Sequence, residues 1–389
     1  MRDKPYCNAP WIGLSYEGTE GCKPCCEWKG PHFVGSYTDY IKSDYLKDFK
    51  ALMYEDKMDD YCMECIHNEK YQYKISRRQK YELIERDQGL VRLDYRPGNQ
   101  CNMKCRMCGP HASSLWEDEE LEHNKSDAIF NNVRPNGVTE VIPVQQELGY
   151  QDYDIDIRGI LKIDTSDVYD IDLSNVHKIM ILGGEPSIDL EVRKFIDYIA
   201  DLNLDCYVGI STNGTNASNK WFNSLKRIKK LELVLSIDGT GAVQDYQRKG
   251  GEWSKIKENL IKYRDTFRNV TINLTATAIN FPVLDLWWDE LMNMGIRVFI
   301  GKVHFPIYFN IDAIPKYHRD YQIAWLKKWK PTEKWHAATV REAIIMLETA
   351  KYNANHHKQF IERTLLLDGR RNETILDLDE RFEDIMNEG

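Results

Sequence analysis

The feature that most constrains the fold is an alternation of short apolar runs with amphipathic runs, beginning near residue 90. The apolar runs predict six strands, at Leu90–Arg96, Lys178–Leu182, Asp205–Ser211, Lys230–Ile237, Val270–Ala278 and Ile296–Val303. Helices are predicted between them, at Ala112–Glu122, Leu190–Leu202, Asn219–Lys229, Trp253–Thr266 and Pro282–Met294. Strands that alternate with helices form parallel sheets with right-handed crossovers. We therefore expect an α/β fold, either an open partial barrel of six βα units or a doubly wound sheet.

The rest of the sequence divides around this core. Residues 1–86 are rich in cysteine and poor in apolar periodicity, and they predict a hairpin followed by loops and a helix at Asp44–Met58. Residues 87–310 hold the predicted core, with a polar insertion at about 123–175. Residues 311–389 predict a helical C-terminal extension, with helices at Tyr317–Lys330 and Ala337–Thr364. We expect these three regions to be the domains.

Charge and cysteine content limit the functional classes. The formal net charge is -9, and a protein that grips duplex nucleic acid generally needs a basic face, so nucleic acid is not the expected partner. The sequence has no run of eighteen apolar residues, and residues 1–11 lack a signal-peptide core, so we expect a cytoplasmic protein without a membrane partner. Nine of the ten cysteines precede residue 110. In a reducing compartment, clustered cysteines indicate metal sites rather than disulfides.

Cys101, Cys105 and Cys108 form a C-x3-C-x2-C loop directly after the first predicted core strand. Three thiolates on a tight loop can hold three irons of a cubane cluster, which leaves the fourth iron without a protein ligand. An open coordination position of this kind is where a metal can act on a bound molecule. A structural zinc site is the alternative, although zinc prefers C-x2-C pairs and four protein ligands. The spacing favours a [4Fe–4S] cluster.

This loop resembles the signature of the radical S-adenosylmethionine (SAM) superfamily, and further motifs follow in that family's order. They are Gly183-Gly184-Glu185-Pro186, Ser211-Thr212-Asn213-Gly214, Ser236-Ile237-Asp238-Gly239 and Arg248. The resemblance implies a partial (β/α)6 barrel that reductively cleaves SAM at a [4Fe–4S] cluster. The 5′-deoxyadenosyl radical so formed would abstract hydrogen from an unidentified peptide or small-molecule substrate. It also implies an electron donor such as flavodoxin or ferredoxin.

The resemblance further implies which residues contact SAM. They are Gly183, Gly184, Glu185, Pro186, Ser211, Asn213, Ser236, Asp238 and Arg248. Glycine backbone can approach a ligand closely because it carries no side chain. Glu185 would accept from the amino group of SAM, and Arg248 would pair with its carboxylate. Ser211 and Asn213 would bond the ribose hydroxyls, whereas Ser236 and Asp238 would contact the sugar or the substrate.

A second group of cysteines has the spacing C-x17-C-x36-C-x2-C and consists of Cys7, Cys25, Cys62 and Cys65. It resembles the twitch auxiliary-cluster domain, a short relative of the SPASM domain, and implies a second, fully ligated [4Fe–4S] cluster. Such domains usually follow the barrel, whereas these cysteines precede it. Cys25 is preferred because Pro24 fixes the chain before it, but Cys22 or Cys26 could replace it. A zinc site made by the same four cysteines is the alternative.

Two other functional classes remain open at this stage. One is a non-catalytic protein whose cysteines hold zinc or a cluster for shape, and the other is an electron-transfer protein with two clusters and no SAM. The ordered motifs favour the enzyme, because neither alternative needs a SAM cradle. Among the remaining residues, Cys206, Trp287 and Trp288 are expected in the core, whereas His356 and His357 are expected on a solvated helical face.

Overall fold

A computed structural model describes residues 4–55, 61–71, 75–123, 162–303 and 306–387 of the chain. The strands are β1 (Gly13–Glu17), β2 (Gly21–Lys23), β3 (Arg92–Arg96), β4 (Lys178–Ile181), β5 (Tyr207–Thr212), β6 (Lys230–Ser236), β7 (Val270–Ala276) and β8 (Arg297–Lys302). Within the described residues the helices are α1 (Ala9–Ile12), α2 (Tyr37–Tyr40), α3 (Asp44–Leu52), α4 (Met63–Tyr71), α5 (Arg77–Glu82), α6 (Ser114–Glu122), α7 (Leu190–Asp201), α8 (Asn219–Leu225), α9 (Gly241–Gln247), α10 (Trp253–Thr266), α11 (Leu284–Met292), α12 (Lys316–Lys328), α13 (His336–Thr349), α14 (Ala354–Arg371) and α15 (Arg381–Asn387). Each of the six predicted core strands is present.

The strands lie in one sheet in the order β2-β1-β3-β4-β5-β6-β7-β8. The pairs β3–β4, β4–β5, β6–β7 and β7–β8 are parallel, and the order does not close on itself. The predicted α/β partial barrel is therefore confirmed. The predicted N-terminal hairpin is β1–β2, which is antiparallel. The sequence did not predict that β1 also pairs in parallel with β3, placing Gly13 opposite Arg92 and Glu17 opposite Arg96.

The chain divides into two compact units. Unit 1 comprises Met1–Cys101, Pro110–Ser211 and Asn219–Glu232, and unit 2 comprises Asn102–Gly109, Thr212–Ser218 and Leu233–Gly389. The division into domains at 1–86, 87–310 and 311–389 stays a prediction. Most of the predicted insertion, residues 124–161, lies outside the described residues. Among the helices that the structure describes, none combines the length and apolar character needed to cross a bilayer.

In unit 1 the cysteine-rich segment packs around an aromatic core that its weak periodicity did not predict. The buried cluster consists of Tyr6, Cys7, Ala9, Ile12, Trp28, Phe49, Met53, Tyr81 and Val91. The rings of Trp28 and Phe49 meet edge to face with centroids 4.3 Å apart, a favourable geometry for an aromatic pair. The helix predicted at Asp44–Met58 begins as expected, because Ser43 caps it by accepting from Leu46 N–H. It ends earlier than predicted, at Leu52.

In unit 2 the predicted helix Ala337–Thr364 is two helices, α13 and α14. The break occurs because the Asn353 side chain accepts from the N–H groups of Asn355 and His356 and so starts a new helix. Trp287 and Trp288 lie in the core as predicted. The prediction for His356 and His357 was wrong, since both are buried. The ring of His357 bonds the Tyr352 hydroxyl and the carbonyl of Ile385, so it ties α14 to α15.

Candidate active site

In unit 1 the glycine motif after β4 lies against the segment that leads from β3 to Cys101. Gly184 N–H donates to Gly98 O at 3.3 Å, and Glu185 N–H donates to Gln100 O at 2.7 Å. A Cβ on Gly184 would lie 2.5 Å from Asn99 O and closer still to Gln100 O, so only glycine permits this approach. At Gly184 the lack of a side chain thus permits close contact with the backbone just before Cys101, and the predicted contact of Gly184 with SAM stays a prediction.

Cys101 is held in unit 1 by the start of α6. Its N–H donates to Ser114 Oγ at 3.2 Å, and the Ser114 hydroxyl lies 3.3 Å from Cys101 O. Glu185 is buried, and its Oε1 accepts from Ser187 N–H at 3.0 Å, so one carboxylate oxygen already caps a turn. Of the other predicted SAM contacts in unit 1, Gly183 and Pro186 follow β4, and Ser211 is the penultimate residue of β5.

In unit 2 the rest of the cysteine loop runs beside the segment 247–250. Lys104 N–H donates to Lys249 O, and Arg106 N–H donates to Gln247 O, both at 2.8 Å. Gly250 has a φ of +104°, and an added Cβ would lie 2.7 Å from Asn102 O. Both observations require glycine at this position. The residues around Arg248 therefore form a backbone bridge to the cysteine loop.

Asp238 and Arg248 form a buried ion pair beside Cys105. Arg248 Nε lies 2.5 Å from Asp238 Oδ2, and Arg248 Nη1 lies 3.8 Å from Cys105 Sγ. Burial works to lower the pKa of the Arg248 guanidinium, but the Asp238 carboxylate and the Cys105 thiol outweigh it and raise that pKa above its ordinary value. Arg248 is therefore a permanent buried cation next to the Cys105 thiol. Asp238 Oδ1 accepts from Thr275 N–H at 2.7 Å, so both of its oxygens are engaged within the protein.

The thiols of Cys105 and Cys108 lie next to each other in unit 2. A hydrogen bond with Cys108, together with burial, raises the pKa of the Cys105 thiol well above its ordinary value, against the lowering effect of Arg248. A metal ligand must be a thiolate, so metal binding would displace this proton. The adjacent buried cation would then balance part of the negative charge, which fits an iron–sulfur cluster at this loop.

Asn213 connects two loops of unit 2. Its Nδ2 donates to Asn102 Oδ1 at 2.9 Å, and its Oδ1 accepts from the Thr215 N–H and hydroxyl at 3.0 and 2.6 Å. Asn102 Nδ2 in turn donates to Thr215 Oγ1 at 2.9 Å. Asn213 thus bonds Asn102, the residue that follows Cys101, directly through Nδ2 and indirectly through Thr215. Ser236, the remaining predicted contact in this unit, is the last residue of β6.

The four predicted auxiliary cysteines lie together in unit 1. Cys7, Cys25, Cys62 and Cys65 line one cavity that opens to solvent. Backbone N–H groups point at three of the sulfurs. Ala9 N–H donates to Cys7 Sγ at 3.4 Å, and Glu27 N–H donates to Cys25 Sγ at 3.5 Å, while Cys65 accepts from backbone N–H groups of the pair Arg77 and Arg78. Such N–H···S bonds tune cluster thiolates in iron–sulfur sites.

The charges and thiol pKa values at this cavity are also compatible with a bound metal ion or cluster. Arg77 and Arg78 line it, and cations near a ligand stabilise its thiolate form. Burial raises the pKa of the Cys7 thiol to about 12, so this group carries a proton at neutral pH until a metal displaces it. Two further cysteines are elsewhere. Cys22 is buried on β2, with Sγ 4.0 Å from Gly35 O, and Cys26 bonds Cys25 without lining the cavity.

The spacing of these side chains bears on the zinc alternative. Four thiolates on one zinc ion must lie about 3.8 Å apart, because each is about 2.3 Å from the metal in a tetrahedron. Within the described part of the chain, no group of three or more His, Cys, Asp or Glu side chains is placed to hold a metal ion. The auxiliary cysteines instead surround a cavity. As placed, these four side chains do not form the compact set that a single zinc ion requires.

Comparison with known proteins gives one family match. The sequence matches the family model of the radical SAM superfamily over residues 95–278, whereas no curated protein matches significantly. Among solved structures, Streptococcus suis SuiB bound to the precursor peptide SuiA is 15% identical, with a TM-score of 0.37 over 61% of this chain and 46% of that chain. The anSMEcpe protein with bound AdoMet and the Cp18Cys peptide is 16% identical, with a TM-score of 0.39 over 61% and 59%.

The chain spans less than two thirds of the length of either solved structure, and likeness of this degree does not bear on its substrate. The family match is more informative, since it includes the cysteine loop, the glycine motif and the segment through Arg248. The cysteine loop and the glycine motif follow β3 and β4, and Arg248 directly follows α9. The chain therefore carries a domain of the radical SAM superfamily over residues 95–278.

Proposed function

We propose that this chain reductively cleaves SAM at a [4Fe–4S] cluster held by Cys101, Cys105 and Cys108, and modifies a peptide or small-molecule substrate. The observation that carries the proposal is the buried Asp238–Arg248 pair, with Arg248 Nη1 3.8 Å from Cys105 Sγ. A zinc site built for shape has no need of a buried cation beside one thiol. A cluster that takes up an electron gains negative charge, and a fixed cation beside it favours that state.

When bound, the cluster supplies the electron that breaks a carbon–sulfur bond of SAM, and the resulting 5′-deoxyadenosyl radical takes hydrogen from the substrate. The protein's own residues position these groups. We propose that Arg248 also pairs with the SAM carboxylate and that Glu185 accepts from the amino group. The other proposed contacts are Gly183, Gly184, Pro186, Ser211, Asn213, Ser236 and Asp238. Asp238 and Asn213 would act mainly by holding Arg248 and the cysteine loop in place.

We further propose that Cys7, Cys25, Cys62 and Cys65 hold a second [4Fe–4S] cluster in a twitch-like auxiliary site. Support comes from their shared cavity, the N–H groups aimed at three of the sulfurs, and the adjacent Arg77 and Arg78. Full protein ligation suits electron transfer or structure rather than direct SAM chemistry. We propose flavodoxin or ferredoxin as the electron donor and the cytoplasm as the compartment, since thiols stay reduced there.

Anaerobic purification and a SAM cleavage assay test the proposal. Two cubanes require about eight iron per chain, and dithionite plus SAM should yield 5′-deoxyadenosine. Cys105→Ala should yield none. Cys206→Ala is the matched control, because Cys206 is a buried thiol directly before β5 and belongs to neither cysteine group. Colourless protein that carries zinc, or a Cys105→Ala variant as active as the parent, would contradict the proposal.

A further inference from the structure

Arg106 lies inside the cysteine loop, between Cys105 and Cys108, and is only 1% exposed. Its Nη2 donates to Glu373 Oε1 at 2.6 Å and to Asp368 Oδ1. These two acids belong to unit 2 but lie more than 260 residues further along the chain. One guanidinium in the cluster loop is therefore paired with two carboxylates of the C-terminal extension.

The same two carboxylates also hold the segment that carries Arg248. The Tyr246 hydroxyl donates to Asp368 Oδ1 at 2.8 Å, and Lys249 Nζ pairs with Glu373 Oε2 at 2.7 Å. Arg106 completes the connection, since its Nε donates to Tyr246 O at 3.3 Å and its guanidinium lies 3.7 Å from the Tyr246 ring centroid. The cluster loop and the 246–249 segment thus share one pair of acids.

The end of α14 fixes where these acids lie. Asp368 is in the last turn of α14, and Asn372 ends the helix in the left-handed conformation with a φ of +48°. Ile375 N–H donates to Asp368 Oδ2 at 2.9 Å, and Glu373 N–H donates to Asp368 O at 3.1 Å. Asp368 is thereby locked by the chain reversal itself, and it offers the loop a rigid point of attachment.

A contribution to folding stability does not explain why these charged side chains are buried together. Buried ion pairs are often replaceable by apolar residues without loss of stability, because desolvation cancels much of their attraction. Arg106 Nη1 is buried and has no hydrogen-bond acceptor among the residues that the structure describes, which adds a further cost. The network does fix the position of Cys105 relative to Arg248, and the proposed function rests on the short distance between these two residues.

We propose that Arg106, Asp368 and Glu373 are positioning residues for SAM binding at the cluster, and that the C-terminal extension acts through them on Cys105 and Arg248. The inference rests on the proposed SAM-dependent function. It assigns to the last helical turn of α14 a role in cofactor geometry rather than in shaping a substrate pocket. Arg106 is suited to it because Nη2 bonds both carboxylates while Nε donates to Tyr246 O, so one rigid, planar group joins all three, whereas lysine presents a point charge.

The test uses the full chain with its clusters and measures the SAM-induced change in the spin-resonance signal of the reduced cluster. Asp368→Asn should raise the apparent dissociation constant for SAM about tenfold, equivalent to about 1.4 kcal/mol of binding free energy. It should also alter the signal of the SAM-bound cluster. Arg381→Met is the matched control. Arg381 also belongs to the C-terminal extension and bonds Asp285 Oδ1 at 2.6 Å, but it contacts neither the cysteine loop nor the 246–249 segment in the bonds described. Its SAM binding should equal that of the parent.

Tyr246→Phe keeps the ring under Arg106 and removes only the hydroxyl bonded to Asp368. It therefore tests the proposed positioning role even if Asp368→Asn does not fold. We expect its dissociation constant to rise about threefold, roughly the loss of one weak hydrogen bond. Wild-type SAM binding and signal in a folded Asp368→Asn or Tyr246→Phe variant would overturn the inference, as would an equal change in Arg381→Met. If the parent itself shows no SAM-dependent signal, the proposed function fails instead.

Discussion

Gly184→Ala should impair the cluster loop without touching a cysteine. The added Cβ would lie 2.5 Å from Asn99 O and closer still to Gln100 O, both backbone atoms that cannot rotate away. Real Cβ contacts almost never fall below 3.0 Å, so the segment before Cys101 must retreat by at least ~0.5 Å, at an overpacking cost of about 1–3 kcal/mol. Misplacement on the order of 1 Å can cost about 100-fold in rate. We expect the rate of 5′-deoxyadenosine formation to fall about 10- to 100-fold.

The assay is anaerobic SAM cleavage with dithionite, scored together with iron content and thermal midpoint. Gly98→Ala is the matched control in the same loop, because the one atom within 4 Å of its added Cβ is Asp189 Oδ2 at 3.9 Å. That substitution should be neutral or slightly stabilising. The reasoning is refuted if Gly184→Ala cleaves SAM at the rate of the parent, or if Gly98→Ala loses as much activity as Gly184→Ala.

Two other substitutions, each with a control variant, test the Asp238–Arg248 pair and the auxiliary cysteines. Asp238→Asn leaves Arg248 buried without its counter-ion and should lower the free energy of unfolding by about 3 kcal/mol, as measured by denaturant titration. Asp205→Asn breaks the exposed pair with Lys230 and should leave the free energy of unfolding unchanged within error, because solvent screens exposed pairs. Equal losses in the two variants would show that burial does not strengthen the dependence of Arg248 on Asp238. Cys25→Ala should lose the auxiliary iron, about half of the total, whereas Cys26→Ala should keep it. The reverse result would make Cys26 the ligand.

The core strands and the strand-end motifs could be predicted because both depend on local rules. Apolar runs of strand length recur between amphipathic runs, and the observed bounds of β3 to β8 lie within two residues of those expected. The place of β1 could not be predicted in this way. Its pairing with β3 joins Gly13 to Arg92, which lies 79 positions further along the chain, and a short strand with Gly and Ser gives little periodicity. The aromatic core around Trp28 escaped prediction for a related reason, since its members come from several short elements.

The limits of sequence reasoning are clearest at Asp238 and Asn213. A polar side chain just after a parallel strand can contact either a ligand or the neighbouring loop. The sequence of the motif is the same in both cases, so it does not show which contact is made. The structure directs Asp238 to Arg248 and Thr275, and it directs Asn213 to Asn102, which is 111 residues away in sequence. Arg106 extends the argument, because nothing local to the cysteine loop points to Asp368. The family motifs therefore do two things in this chain. Besides the side chains that we propose contact SAM, these motifs contain Asp238 and Asn213, which hold neighbouring loops together.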